Sequence, residues 1–127
     1  MSSKHLVLAV CLAVAAGQLH AQSGKKSAGN VTSDLPACST MPASVDEFAC
    51  NCPNNPNRGS VWGNDPYTAD SDICTAGVHS GYIDEEGGDV VVLRVKGLST
   101  YTSGESFGVT TSDWGPYGDS ITFDWNR

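Results

Sequence analysis

Cys74, Thr75 and His79 stand close enough in this 127-residue chain to invite a catalytic reading. On a helix, residues five apart lie roughly 140° apart around the axis, so Cys74 and His79 cannot act as a nucleophile–base pair within one helix. Thr75 lies one turn before His79 and is a poor nucleophile without a placed base. His79 therefore reads as a structural histidine that bonds a neighbouring strand or loop. Cys50, Cys52, Cys74 and His79 match a three-sulfur, one-nitrogen zinc set. An oxidising destination and the leftover Cys38 oppose it. Asp84, Glu85, Glu86 and Asp89 crowd the Gly87-Gly88 turn, and hard cations take carboxylates in such loops. The spacing fits no recognised calcium loop, so Asp84, Glu86 and Asp89 read as a solvated acidic turn. No cofactor is implied. Of the aromatic residues Trp62, Tyr67, Trp114, Tyr117 and Trp125, most are expected in the core. Trp114 and Tyr117 lie in the turn-rich Trp114-Gly115-Pro116-Tyr117, where rings can face a sugar or a protein partner.

The element that must position these groups is Asp70 to Ile83. Asp70 or Ser71 can cap a helix start, Asp70 and Asp72 suit the positive end of its dipole, and Gly81 is a natural stop before the acidic run. About ten residues of helix are expected. On the helical wheel Ile73, Ala76, Gly77, Ser80 and Ile83 cover one side, and Cys74, Val78, Gly81 and Tyr82 the next. Thr75 and His79 form the polar stripe. A helix apolar or small almost all round is buried, which predicts a short central helix enclosed by the rest of the chain. Trp62, Tyr67, Ile73, Ala76, Val78, His79 and Gly81 are its expected structural core.

Residues 1–21 read as a secretory signal: Lys4 and His5 precede the apolar run Leu6–Ala16, and Leu19-His20-Ala21 offers a cleavage site. The run is too short to span a bilayer, and no later segment is long enough. Cys11 lies inside the run and leaves with it. The four remaining cysteines, Cys38, Cys50, Cys52 and Cys74, point to two disulfides in a secreted or periplasmic protein. Cys50 and Cys52 are sterically poor partners. That leaves Cys38–Cys50 with Cys52–Cys74, or Cys38–Cys52 with Cys50–Cys74. From Gln22 onward six Lys/Arg face fourteen Asp/Glu, a net charge of −8. Such a surface repels nucleic acid and anionic lipid head groups. A monomer is expected.

Residues 22–37 read as a flexible leader, in which Asn30-Val31-Thr32 matches a glycosylation acceptor without deciding for one. Residues 38–127 form the one domain. A short amphipathic stretch surrounds Val45-Asp46-Glu47-Phe48, and Pro53–Gly59 is turn material. Val61–Tyr67 starts as a strand and turns toward the helix. Asp89–Val95 is a β-branched strand whose near-continuous apolar character predicts cover on both faces. Tyr101–Thr111 reads as a strand, a Ser103-Gly104 turn and a second strand. Ile121–Trp125 alternates, with one wet face. The class is α+β: short antiparallel strands around one helix, stapled by disulfides.

Val61-Trp62-Gly63, Tyr67, and Ser71-Asp72-Ile73-Cys74-Thr75-Ala76-Gly77-Val78-His79-Ser80-Gly81 together resemble the signature of the LCCL domain, named after factor C, cochlin and a lung protein. Gly87-Gly88-Asp89-Val90, Gly97, Tyr101 and Gly108-Val109 continue the likeness from about Cys38 to Trp125. The resemblance implies an extracellular fold with a central helix wrapped by β-structure and bridges Cys38–Cys50 and Cys52–Cys74. It also implies a non-catalytic interaction module, linked to host defence and to lipid or lipopolysaccharide. Three features depart from the family pattern: the closely spaced Cys50-Asn51-Cys52, Gly77 in place of Ala, and Phe107 in place of Asn before Gly108-Val109. The negative charge works against a phosphate-bearing ligand.

The expected function is thus a non-catalytic, exported binding module whose ligand is a lipid, a glycan or an envelope protein. A small exported hydrolase, or a metal-binding protein built on the acidic turn, is the alternative. A purely structural envelope component is a third reading.

Overall fold

The computed structural model describes residues 33–126. The expected signal, the leader up to residue 32 with its Asn30 acceptor, and Arg127 lie outside the described residues. Helix α1 spans Ile73–Ser80, eight residues, and Ile73 through His79 are all buried. It starts later than Asp70 or Ser71. Asp72 is the cap, its carboxylate accepting from the Thr75 backbone N–H at 3.0 Å. Ser71 is not free to cap: its buried hydroxyl receives the Trp62 N–H at 3.1 Å and meets the Thr68 hydroxyl at 2.9 Å. Gly81 ends the helix at φ 85, where its N–H reaches the Gly77 and Val78 carbonyls. That left-handed conformation favours glycine.

Strands β1 (Glu47–Cys52), β2 (Tyr67–Thr68), β3 (Gly88–Lys96) and β6 (Asp119–Phe123) form an antiparallel sheet in the order β1-β3-β6-β2. A two-stranded hairpin, β4 (Glu105–Ser106) and β5 (Val109–Thr110), stands apart from it. The sheet's inner face presents Cys50, Cys52, Val90, Val92, Ile121 and Phe123, which pack with Ile73, Cys74 and Ala76 of α1 in one core. Residues two apart on a strand face the same way. Cys50 and Cys52 therefore both point inward from β1, and each takes a partner from another segment. The bridges are Cys38–Cys50 and Cys52–Cys74, the pairing the resemblance implied. The second bridge ties α1 to the sheet.

Four local expectations change. The amphipathic stretch at Val45–Phe48 leads into a full strand, because Glu47–Cys52 pairs residue by residue with Leu93–Gly88. β3 is buried on one face only: Val90 and Val92 are inaccessible, Val91 and Leu93 are half-buried, and Val95 is exposed. The turn of the 101–111 segment is at Phe107-Gly108, not Ser103-Gly104. Phe107 and Gly108 have φ 50 and 79, the paired positive values of a type I′ hairpin turn. Ser103 and Gly104 are instead pinned to the return strand, through Ser103 N–H to Asp113 (2.7 Å) and Gly104 N–H to Thr111 Oγ1 (2.9 Å). Finally, the last part of the expected leader is engaged with the sheet. Asn51 N–H donates to the Pro36 carbonyl at 2.8 Å, and Cys38 N–H to Asn51 at 3.0 Å, extending β1's edge in parallel.

The segment 98–117 covers the other side of β6, where the Tyr101 hydroxyl meets Ser120 Oγ at 2.7 Å. Gly97 permits this crossing. A Cβ there would sit 1.9 Å from the Tyr117 carbonyl oxygen and 2.5 Å from the Gly118 backbone. Gly97→Ala is expected to destabilise the domain by about 2 kcal/mol or more, because backbone must move. Gly115→Ala, with nothing within 4 Å of the added methyl, should be neutral or slightly stabilising. Urea unfolding of the two variants checks the contrast.

Candidate functional site

The polar stripe of α1 faces the loops that wrap it. Thr75 Oγ1 receives the N–H groups of Gly59 (2.9 Å) and Arg58 (3.0 Å) and donates to Asp72 at 2.6 Å. His79 Nε2 lies 3.2 Å from the Gly104 carbonyl, and Nδ1 lies 2.9 Å from the Tyr67 hydroxyl. A carbonyl only accepts, so Nε2 donates to Gly104, while Nδ1 shares a hydrogen bond with the Tyr67 hydroxyl. Both ring nitrogens are engaged, and the side chain is only 2 % exposed. Its ring meets that of Tyr67 edge-on at 5.6 Å. Burial, then the nearby Asp65 carboxylate, hold the Tyr67 phenol well above its ordinary value. Each side chain of the stripe is committed to holding a loop or strand on the helix.

The sulfurs of Cys38, Cys52 and Cys74 lie within 4.8 Å of one another, and this is the group of metal-ligand-type atoms that converges among the described residues. All three are in disulfides, and a disulfide sulfur is not the thiolate that zinc takes. His79 is turned to Tyr67 and Gly104 rather than to Cys50, Cys52 and Cys74, so the four-residue zinc set does not assemble. In the acidic turn, Asp84 accepts the Glu86 N–H at 2.9 Å, while Asp89 receives Asn51 Nδ2 at 2.8 Å and the Ser33 hydroxyl at 3.0 Å. Asp84 and Asp89 thus serve a local turn and neighbours, and among the described residues the carboxylates of the acidic turn form no converging metal-type group.

Tyr67, Ile73, Ala76, Val78 and His79 are buried in the core around α1. Gly81 is not: it lies at the exposed end of the helix, because its role is the left-handed cap. Trp62 is half-buried, meeting Trp114 edge-on at 6.1 Å, and Trp114 is itself 50 % exposed. Tyr117 has a different neighbour. Partial burial and the Asp70 carboxylate raise its phenol above the ordinary value. Trp125 is at the surface rather than in the core.

A surface cleft lies elsewhere among the described residues. It has a volume of about 1130 Å³ and opens between the C-terminal end of α1, the acidic turn and the hairpin tip. Val78, Ile83 and Val91 supply apolar floor, and Tyr82, Phe107 and Trp125 supply rings. The Tyr82 ring stacks on Phe123 at 4.9 Å on its core side and meets Trp125 edge-on, also at 4.9 Å. Its hydroxyl donates to the Asp124 carbonyl at 3.0 Å. Phe107, 72 % exposed, lies over Gly81, where an added Cβ would be 3.0 Å from its ring. Sequence reasoning missed this site because its walls come from three separated segments. The available signal was Phe107 itself, a large apolar residue where a hairpin turn favours Asn.

A family model for the LCCL domain matches residues 31–121 of the chain. The chain belongs to the LCCL domain family. Its curated relatives include vitrin from Bos taurus, 42% identical over 66 residues, and vitrin from Homo sapiens and Mus musculus, 41% and 38% identical over the same length. Each alignment covers 50% of this chain and 10% of the relative, so the chain spans about a tenth of those proteins. The LCCL match begins at residue 31, and the pairing of Pro36–Cys38 with Asn51 shows the fold engaged ahead of the first cysteine.

Tyr67→Phe leaves His79 Nδ1 without its hydrogen-bond partner and is expected to cost roughly 1–3 kcal/mol in urea unfolding. The raised phenol also sets a sign. Stability contributed by neutral Tyr67 is full below its unfolded value near pH 10 and declines as pH rises above it. Unfolding titrations above about pH 10 should fall less steeply in Tyr67→Phe than in the parent.

Proposed function

We propose that this LCCL domain is an exported, non-catalytic binding module that acts as a monomer on a component of the cell envelope or the extracellular surroundings. One observation carries the reading: the nucleophile and base candidates of the helix, Thr75 and His79, are turned inward and spent, while large apolar side chains stand at the surface. His79 and Thr75 are buried with their polar atoms occupied, whereas Phe107, Trp114 and Trp125 are half exposed or more. Exposed rings of this kind are what contact surfaces use. Family membership supports the same reading, since LCCL domains serve as interaction modules.

Export is supported by the two disulfides, which persist in oxidising compartments. Among the described residues no helix is long and apolar enough to cross a membrane. The acidic surface points away from nucleic acid and bare phosphate polymers. Purified full chain, immobilised and exposed to envelope fractions, glycans and lipid vesicles, is expected to retain at least one of them saturably. Retention of none overturns the binding reading. N-terminal sequencing of protein recovered outside the cytoplasm is expected to begin at Gln22.

A further inference from the structure

We propose that the cleft between the end of α1, the acidic turn and the hairpin tip is a docking site for a cationic peptide segment of a partner protein. The inference rests on the binding-module reading and names its site and partner. The cleft's rings are Tyr82, Phe107 and Trp125, and its rim carries the exposed carboxylates of Asp84, Glu85, Glu86 and Asp89. Among the residues lining it there is no Lys, Arg or His. Four negative groups beside three ring systems complement a chain bearing several guanidinium or ammonium groups. Each cation can lie over a ring face while a carboxylate balances its charge. The C-terminal end of α1, at Val78 and Gly81, adds the negative pole of the helix dipole to the same wall.

Size selects a peptide over a single head group. At about 1130 Å³ the cleft exceeds the roughly 300–1,000 Å³ of ordinary small-molecule sites, and it is open along one side. A lone quaternary ammonium would fill a small part of it and meet only some of the carboxylates. The apolar floor at Val78, Ile83 and Val91 accepts the aliphatic stems of Arg or Lys, or an intervening Leu.

Phe107 marks the site as one that binds. At φ 50 it occupies a left-handed conformation that is unfavourable for a residue with a Cβ, and Asn would bear it more easily. In return the ring gains contact with Gly81 but stays 72 % exposed. Burial in the domain alone therefore leaves most of the ring without contacts, and a docked chain would supply them.

The test uses the full purified chain and a fluorescein-labelled peptide of alternating Arg and Leu, with a Glu/Leu peptide and phosphatidylcholine vesicles as the other two probes. The Arg/Leu peptide is expected to bind saturably and to lose about tenfold or more in affinity between 50 and 500 mM salt, since exposed charges are screened. Phe107→Asn, which suits the turn and keeps the fold, is expected to weaken binding by roughly fivefold or more. The double variant Glu85→Gln with Glu86→Gln, both exposed, should do the same and flatten the salt dependence. Urea unfolding confirms that each variant is folded. The proposal is overturned if the Arg/Leu peptide fails to bind, if it binds both variants as tightly as the parent, or if the Glu/Leu peptide or the vesicles bind the cleft in its place. A chain that retains an envelope component while ignoring the Arg/Leu peptide sinks the cleft assignment alone. Retention of nothing sinks the binding-module reading with it.

Discussion

An eight-residue helix cannot persist alone in water, because nucleation costs more than so few hydrogen bonds return. Helix α1 exists because the surrounding chain satisfies what burial would otherwise leave exposed to penalty. Its apolar side packs on the inner face of the sheet, and Cys74 is bonded there through Cys52. Its polar side holds two groups that need partners, Thr75 and His79. Each unsatisfied buried polar atom would cost roughly 1–3 kcal/mol. Among the described residues no buried side-chain nitrogen or oxygen lacks a hydrogen-bond partner. The loop at 58–59 is held to Thr75, strand β2 to His79 Nδ1, and the start of the hairpin to His79 Nε2. Remove the helix and three separate segments lose their anchor.

That arrangement explains how a small domain manages without a large core. The two bridges leave the same face of β1, one toward Cys38 and one toward Cys74. They fix both the N-terminal segment and the helix to a single strand. Loop closures of this kind each contribute roughly 2–4 kcal/mol, which is large against the stability of a domain this size. Arg94 does a related task at the other end of β3, donating to the Val45 and Pro42 carbonyls and pairing with Asp119 at 3.2 Å. The loop ahead of β1 is held by these bonds rather than by apolar contact alone.

The helix was legible in the sequence because its burial is written in residue size: Ala76 and Gly77 next to Ile73 and Val78 leave only Thr75 and His79 as polar exceptions. Its start was harder to place, since Asp70, Ser71 and Asp72 are all good caps and only tertiary partners decide which is free. β1 was hidden because Asn51, between two cysteines and facing outward, breaks any recognisable strand composition. The Phe107-Gly108 turn was missed for the opposite reason. Ser103-Gly104 has the better local turn chemistry, yet Asp113 and Thr111 capture its backbone N–H groups. The pairing of the cysteines was open from spacing alone and became readable only through family resemblance. A cleft assembled from residues 78–91, 107 and 125 has no linear signature at all.

The internal economy of polar groups also bears on function. A catalytic histidine needs one nitrogen available to a substrate proton, and within hydrogen-bond reach of it. His79 has neither free nitrogen nor access, and freeing either one would detach β2 or the hairpin from the helix. Chemistry at this position would therefore compete directly with folding. The surface is under no such constraint, because the stapled interior holds the hairpin and the acidic turn in place whatever their tips carry. Phe107 shows this freedom in use: a ring in a costly backbone conformation is tolerated at a tip whose base is tied down at Gly104 by His79 and Thr111. Substitutions at these exposed tips would therefore leave undisturbed the helix on which the rest is hung.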